Sequence, residues 1–275
     1  MSVARFSLRP RAAALASALG LAVGAWGCRG LIGIEDRPLL ADAGDDAGVE
    51  ASAPVSFCAT LSPPAQFCSD FDDGALTGWA NEGKTPNPGE SGGGTMVVGT
   101  LAHSAPFGLR VDTPALVGTS SNASSTLQKY LPNAPRISVG FQMYLESEEF
   151  PVGQGGFVIL ASLAFDQAGG VIFYRTGSGT WFGVAPSGER KKLPIPVGVG
   201  SWKNVKMVLR NTPLDGGVDG EAYLVLDGSV AVTVPLPAAF QSAAISPRIS
   251  LGAAGTGPAG AFRASFDDVA IYYGD

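Results

Sequence analysis

RISVGFQMYLE, Arg136 to Glu146, alternates apolar and polar residues from end to end. Successive side chains of a strand point to opposite faces, so Ile137, Val139, Phe141, Met143 and Leu145 fall on one side. Ser138, Gly140, Gln142, Tyr144 and Glu146 fall on the other. Such a strand buries one face and wets the other. Runs of the same kind recur at Thr95 to Val98, Gly108 to Asp112, Thr126 to Leu131, Gly156 to Phe165, Val171 to Arg175 and Thr180 to Ala185. They continue at Trp202 to Arg210, Glu221 to Leu226, Ser229 to Val234, Arg248 to Gly252 and Arg263 to Tyr272. Asp227-Gly228 between two of them marks a tight hairpin, because the turn needs positive φ that Asp and Gly tolerate. Only Ala238 to Ala244 reads as a short helix. Glycine makes up 38 of 275 residues and charged residues only 15%, a composition suited to strands joined by turns. About a dozen strands with turn punctuation imply two packed antiparallel sheets rather than βαβ units.

The N-terminus carries a different message. Arg5, Arg9 and Arg11 precede an apolar run from Ala12 to Trp26, and Gly27 stands before Cys28, which is the secretory plan. The run is shorter than the roughly 20 residues a membrane-spanning helix needs. Ala25-Trp26-Gly27-Cys28 resembles a bacterial lipobox, in which Cys28 is diacylated and becomes the mature N-terminus, although Ala25 and Trp26 depart from its usual pattern. The resemblance implies an outer-membrane lipoprotein, since Arg29 rather than Asp follows the cysteine. Cleavage by the ordinary signal peptidase, giving a soluble secreted protein, is the alternative. Lipidation of Cys28 leaves Cys58 and Cys68 as a pair in an oxidising compartment, where they are expected to form a disulfide. Two cysteines and one histidine cannot build the usual four-ligand zinc site without carboxylates.

Residues 29–56 hold six acids against two bases and no aromatic, so they are expected to be a disordered acidic spacer between the leader (1–28) and one β-sandwich domain (57–275). The formal charge is −6, and −9 once the three leader arginines are gone, which argues against nucleic acid as a partner. The one dense basic run, Arg190-Lys191-Lys192, reads as a solvated turn.

Gly200-Ser201-Trp202-Lys203-Asn204-Val205, followed by Glu221-Ala222-Tyr223-Leu224-Val225-Leu226-Asp227-Gly228, resembles the Trp strand and hairpin of laminin G-like domains in the concanavalin A-like lectin and glucanase superfamily. Phe71-Asp72-Asp73-Gly74 and Phe266-Asp267-Asp268-Val269 are similar to the first and last strands of those jelly-roll sandwiches. The resemblance implies fold more than activity, since the superfamily includes lectins, adhesion modules, glucanases and polysaccharide lyases. Its retaining glucanases place paired glutamates as Glu-x-Asp-x-x-Glu, with carboxyls about 5 Å apart. That spacing is absent, and Glu146, Glu148 and Glu149 read as a solvated strand end. Its lyases use histidine and tyrosine as base and acid, whereas the only histidine, His103, sits in a loop-like Ala-His-Ser-Ala-Pro and fits a turn better than a base.

Sugar rings stack on aromatic faces and satisfy their hydroxyls with planar polar groups. VIFYRTGSGTWFGVA, Val171 to Ala185, is expected to form a hairpin across Gly177-Ser178-Gly179 that carries Tyr174, Arg175 and Trp181. With Gln142 and Tyr144 these make the candidate ligand-binding residues. Asp72, Asp73, Asp267 and Asp268 would form a structural calcium site if the terminal strands pair. The expected function is a non-catalytic, lipid-anchored binding or adhesion module for a glycan or another cell-surface polymer. The alternatives are a carbohydrate-active enzyme of the same fold and a structural envelope protein.

Overall fold

The computed structural model describes residues 55–80, 89–119, 121–150, 155–165, 169–186, 188–210, 220–237, 240 and 247–274. After a one-turn helix α1 (Phe57–Thr60), these residues form two antiparallel sheets. The first sheet runs β13 (Ser229–Pro235), β12 (Glu221–Leu226), β11 (Trp202–Arg210), β6 (Arg136–Glu148), β15 (Phe262–Gly274), β4 (Gly108–Thr113), β3 (Thr95–Gly99), with β1 (Phe67–Ser69) paired to a further stretch of β15. The second runs β10 (Arg190–Lys192), β9 (Gly179–Ala185), β8 (Gly169–Thr176), β7 (Phe157–Phe165), β14 (Arg248–Thr256), β5 (Asn122–Tyr130), β2 (Glu90–Ser91). The centre of each sheet joins strands distant in sequence, β11-β6-β15-β4 in the first and β7-β14-β5 in the second, as a jelly roll requires.

The alternation that marks β6 does what the residue pattern demands. Ile137, Val139, Phe141, Met143 and Leu145 are all buried, and Phe141 meets Phe266 of β15 with ring centroids 5.8 Å apart. From the facing sheet, Leu127, Leu251, Leu163, Phe173 and Phe182 enter the same core. Each such side chain contributes about 1.5–3 kcal/mol when moved out of water. Asp227 (φ 48) and Gly228 (φ 79) form the two-residue turn between β12 and β13, both in the left-handed region that the Asp-Gly pair tolerates. Cys58 of α1 and Cys68 of β1 form a disulfide, fastening the lead-in segment to the edge of β15.

Arg190-Lys191-Lys192 is not a turn. It pairs with Gly183, Phe182 and Trp181 as an edge strand whose three residues are all exposed, a role in which only backbone pairing is needed and cations are welcome. Strands β1 and β2, of three and two residues, carry too little periodicity to be read from sequence. The leader with Cys28, nearly all of the acidic spacer, and all of the segment Ala238 to Ala244 but Phe240 lie outside the described residues. Among those described, no helix is long and apolar enough to cross a membrane.

Candidate functional site

The outer face of the eight-stranded sheet is where polar and aromatic groups gather. On β6, Gln142 and Tyr144 point away from the core, as their alternation with buried Phe141, Met143 and Leu145 requires. On the neighbouring β11, Trp202 stands directly opposite Tyr144 and Asn204 opposite Gln142. The Tyr144 and Trp202 rings lie 5.5 Å apart, tilted by 52°, and neither side chain is fully buried. A cross-strand aromatic pair with two amides beside it offers a stacking surface and donors and acceptors for hydroxyls within one strand spacing of each other.

His103 joins this group from the loop between β3 and β4. Its ring meets Trp202 edge-on at 5.6 Å. What holds it there is an irregularity in β15. In a regular strand Asp267 and Asp268 would point to opposite faces, but the register against β6 shifts between Asp267 and Ala270, and Asp268 has φ 51. This bulge turns both carboxylates toward one loop. Asp267 Oδ2 accepts from the backbone N–H of His103 (2.8 Å) and Ser104 (2.9 Å), while its Oδ1 accepts from the N–H of Asp268 (2.8 Å). Asp268 Oδ2 lies 2.6 Å from His103 Nδ1, and Ser104 Oγ donates to Asp268 Oδ1 at 2.5 Å. With Nδ1 donating to the carboxylate, a neutral imidazole presents the Nε2 lone pair, and the side chain is 41% exposed. Burial, reinforced by the charge of Asp268, raises the Asp267 carboxyl to about 6 despite its hydrogen bonds.

The expected binding residues divide between the two sheets. Gln142 and Tyr144 share the face just described. Tyr174 and Trp181 pair across β8 and β9 on the outer side of the other sheet, with centroids 6.4 Å apart. There Tyr174 is only 7% exposed, packed also against Phe157, and the Trp181 indole N–H donates to Thr176. Arg175 lies on the inward side of β8 with Val171 and Phe173. It is buried and bonds both oxygens of Glu148 and the Thr180 hydroxyl. Arg175 is therefore a partner of the core rim.

Glu146, Glu148 and Glu149 likewise part company. The register shift between Arg263 and Ala264 lets Glu148 turn inward to Arg175, whereas Glu146 stays outside and accepts from Ser265. Of the four aspartates expected to bind calcium, Asp73 caps its own turn, accepting from Thr77 Oγ1 and from Ala75 N–H, which lower its carboxyl. Asp267 holds the His103 loop. Asp72 is the one left near Asp268, its carboxyl raised by burial and by the neighbouring charges of Asp70 and Asp268. Among the described residues, no group of three or more His, Cys, Asp or Glu side chains is arranged to hold a metal.

Farther along the same face, toward the start of β6, a cavity of about 500 Å³ opens between the lead-in segment and the sheet. Gln66, Arg136, Ser138, Lys206 and Tyr272 line it. Sequence reasoning missed Trp202 and His103 as site residues. Trp202 was legible only as a fold marker, and nothing local to His103 announces the bulge 164 residues later that fixes its loop.

No family model and no curated protein matches this chain. Solved structures do. An endo-β-1,4-glucuronan lyase from the fungus Trichoderma reesei aligns with a TM-score of 0.52 and 14% identity over 76% of this chain and 95% of its own. The cellulose-induced protein Cip1 aligns with the same TM-score and 16% identity over 75% and 96%. At these identities the likeness speaks to fold, and the fold is a concanavalin A-like jelly-roll sandwich.

Proposed function

We propose that this protein recognises a polysaccharide along the outer face of the eight-stranded sheet, with Trp202 and Tyr144 as the stacking platform and Gln142 and Asn204 as hydroxyl partners. The observation that carries this is the outward cross-strand pair at 5.5 Å with two amides on the adjacent pair of positions. Two solved structures that align with this chain over most of their own length, the glucuronan lyase and the cellulose-induced protein, carry names that refer to polysaccharides. Aromatic stacking contributes on the order of 0.5–1.5 kcal/mol beyond buried area. Replacing Trp202 by Ala should therefore weaken binding to a polysaccharide panel in affinity electrophoresis by about two- to tenfold, while Trp181→Ala leaves it unchanged. Retention of affinity in folded Trp202→Ala, with loss in Trp181→Ala, would move the site to the other sheet.

A second reading is supported by His103. A histidine whose Nδ1 is committed to Asp268 presents Nε2 as a base, and Tyr144 lies on the other neighbour of the shared Trp202 ring. On a uronate polymer, such a base takes the proton from the carbon beside the carboxylate, and that proton passes from Nε2 to the glycosidic oxygen, which leaves as an alcohol as the carbon–carbon double bond of an unsaturated sugar forms. Incubation with polyglucuronate followed by ultraviolet absorbance decides between the two. Product formed by the wild type and abolished in His103→Ala establishes elimination, and its absence leaves recognition alone.

The site would work outside the cell. We propose export and anchoring through lipid on Cys28, with the acidic stretch 29–56 as tether. Mass spectrometry of the mature N-terminus gives a diacylated cysteine on this proposal, and an unmodified terminus elsewhere overturns it.

A further inference from the structure

The cavity at the other end of the same face has a chemistry that the aromatic platform lacks. Arg136 starts β6 and Lys206 lies on β11, and both project to the outer side with Ser138 and Tyr272. Among the described residues no carboxylate lines the cavity, and neither cation has an ion-pair partner. The contrast with the rest of the sheet is sharp. Lys203 is paired with Asp227, Arg210 with Glu221, and Arg263 with Asp112. In a protein with a formal charge of −6, two cations with no ion-pair partner among the described residues, around one cavity on a sheet whose other cations are mostly matched, form a local positive site. The polar lining adds hydroxyls at Ser138 and Tyr272 and the Gln66 side chain. The Tyr272 hydroxyl already donates to the Pro63 carbonyl, and the Gln66 carbonyl oxygen already accepts from the Tyr273 N–H. What remains free is the Ser138 hydroxyl, a lone pair on Tyr272 and the Gln66 amide N–H donors, beside the guanidinium and the ammonium. That set suits an anion carried on a polyhydroxylated ring. The volume, about 500 Å³, lies within the range typical of small-ligand sites.

From Ser138 to Tyr144 the strand advances about 20 Å at roughly 3.3 Å per residue. Cavity and aromatic platform are thus two stations on one straight path along β6, far enough apart to hold different residues of one extended chain. We infer that the polysaccharide is acidic, and that the cavity binds the carboxylate of one of its sugars between Arg136 and Lys206 while Trp202 and Tyr144 stack a neutral ring face farther along. This rests on the binding face proposed above and adds the charge class of its ligand.

The test uses the mature protein, oligoglucuronates, neutral cello-oligosaccharides of equal length and a sulfated oligosaccharide, with affinities measured by calorimetry. Arg136 and Lys206 are surface residues, so the double variant Arg136→Gln/Lys206→Gln is expected to fold, and its melting temperature checks this. Wild type should bind oligoglucuronate at least about tenfold more tightly than the neutral oligomer, the equivalent of one net charge-assisted contact, and the preference should shrink as salt rises. The double variant should lose that preference while keeping its affinity for the neutral oligomer, and Trp202→Ala should weaken both ligands. If the double variant binds oligoglucuronate like the wild type while Trp202→Ala does not, the cavity assignment fails and the platform stands. If only the double variant loses affinity, the platform fails instead. Tighter binding of the sulfated than of the carboxylated oligomer overturns the assignment to a carboxylate, and equal binding of all three ligands overturns the charge class altogether.

Discussion

Replacing Asp267 by Asn isolates the buried charge that holds the His103 loop. Asp267 is wholly buried, and burial together with Asp268 raises its carboxyl from 3.8 to about 6. That gap of about two pH units corresponds to roughly 3 kcal/mol at about 1.36 kcal/mol per unit. Because the folded-state value lies above that of the unfolded chain, the native protein holds more protons between the two. The carboxyl's contribution to stability is therefore fully present below about pH 4 and lost as the pH rises through 6. Asn is neutral throughout, so this dependence vanishes in the variant. Both carboxylate oxygens accept a backbone N–H, so the Asn amide must face one donor and adds a pH-independent cost of about 1–3 kcal/mol. His103, Asp268 and Ser104 face the same carboxylate and are unchanged between the two proteins. Urea melts of both proteins from about pH 4 to 7.5 should show the stability advantage of the wild type falling by about 3 kcal/mol across that window. A difference that is flat with pH would refute the assignment of a charge-strained anchor.

Replacing Cys58 and Cys68 by serine should lower stability by about 3 kcal/mol in the same melts, the chain-entropy value for so short a loop, and an unchanged urea midpoint would mean that the α1 segment is not part of the cooperative unit. Glu148→Ala leaves Arg175 buried without its carboxylate and should cost about 3–5 kcal/mol, whereas the pair Glu148→Leu/Arg175→Met should recover most of the loss. A double variant as unstable as the single one would show that packing, and not charge, is what the pair supplies.

The fold was legible because a sandwich repeats one rule: where a strand alternates over several residues, as β6 and β11 do, period and burial coincide. The DG turn was equally plain, since its backbone demands those residues. What alternation cannot show is a departure from itself. Asp267 and Asp268, adjacent between the apolar Phe266 and Val269, can both be used only if the strand bulges, and that consecutive pair was the one available hint. Arg175 illustrates the opposite difficulty, because a basic residue in a hairpin looks like part of a ligand face until parity and the facing sheet bury it. Gln142 and Tyr144 could be assigned to the wet side of β6, but their neighbours Trp202 and His103 come from β11 and from a loop whose position depends on distant chain.

The short strand β10 bears on how molecules of this protein meet one another. It closes one side of the seven-stranded sheet with Arg190, Lys191 and Lys192, and Lys191 Nζ also donates to the Thr233 carbonyl on β13 at the border of the opposite sheet. A second copy seeking to extend that sheet by adding its own border would bring three cations against three cations and would have to displace the tether to β13. Self-association by strand addition is thereby discouraged at the place where an open sandwich is most vulnerable, and exchanging the three for Thr or Val should make the protein self-assemble on concentration.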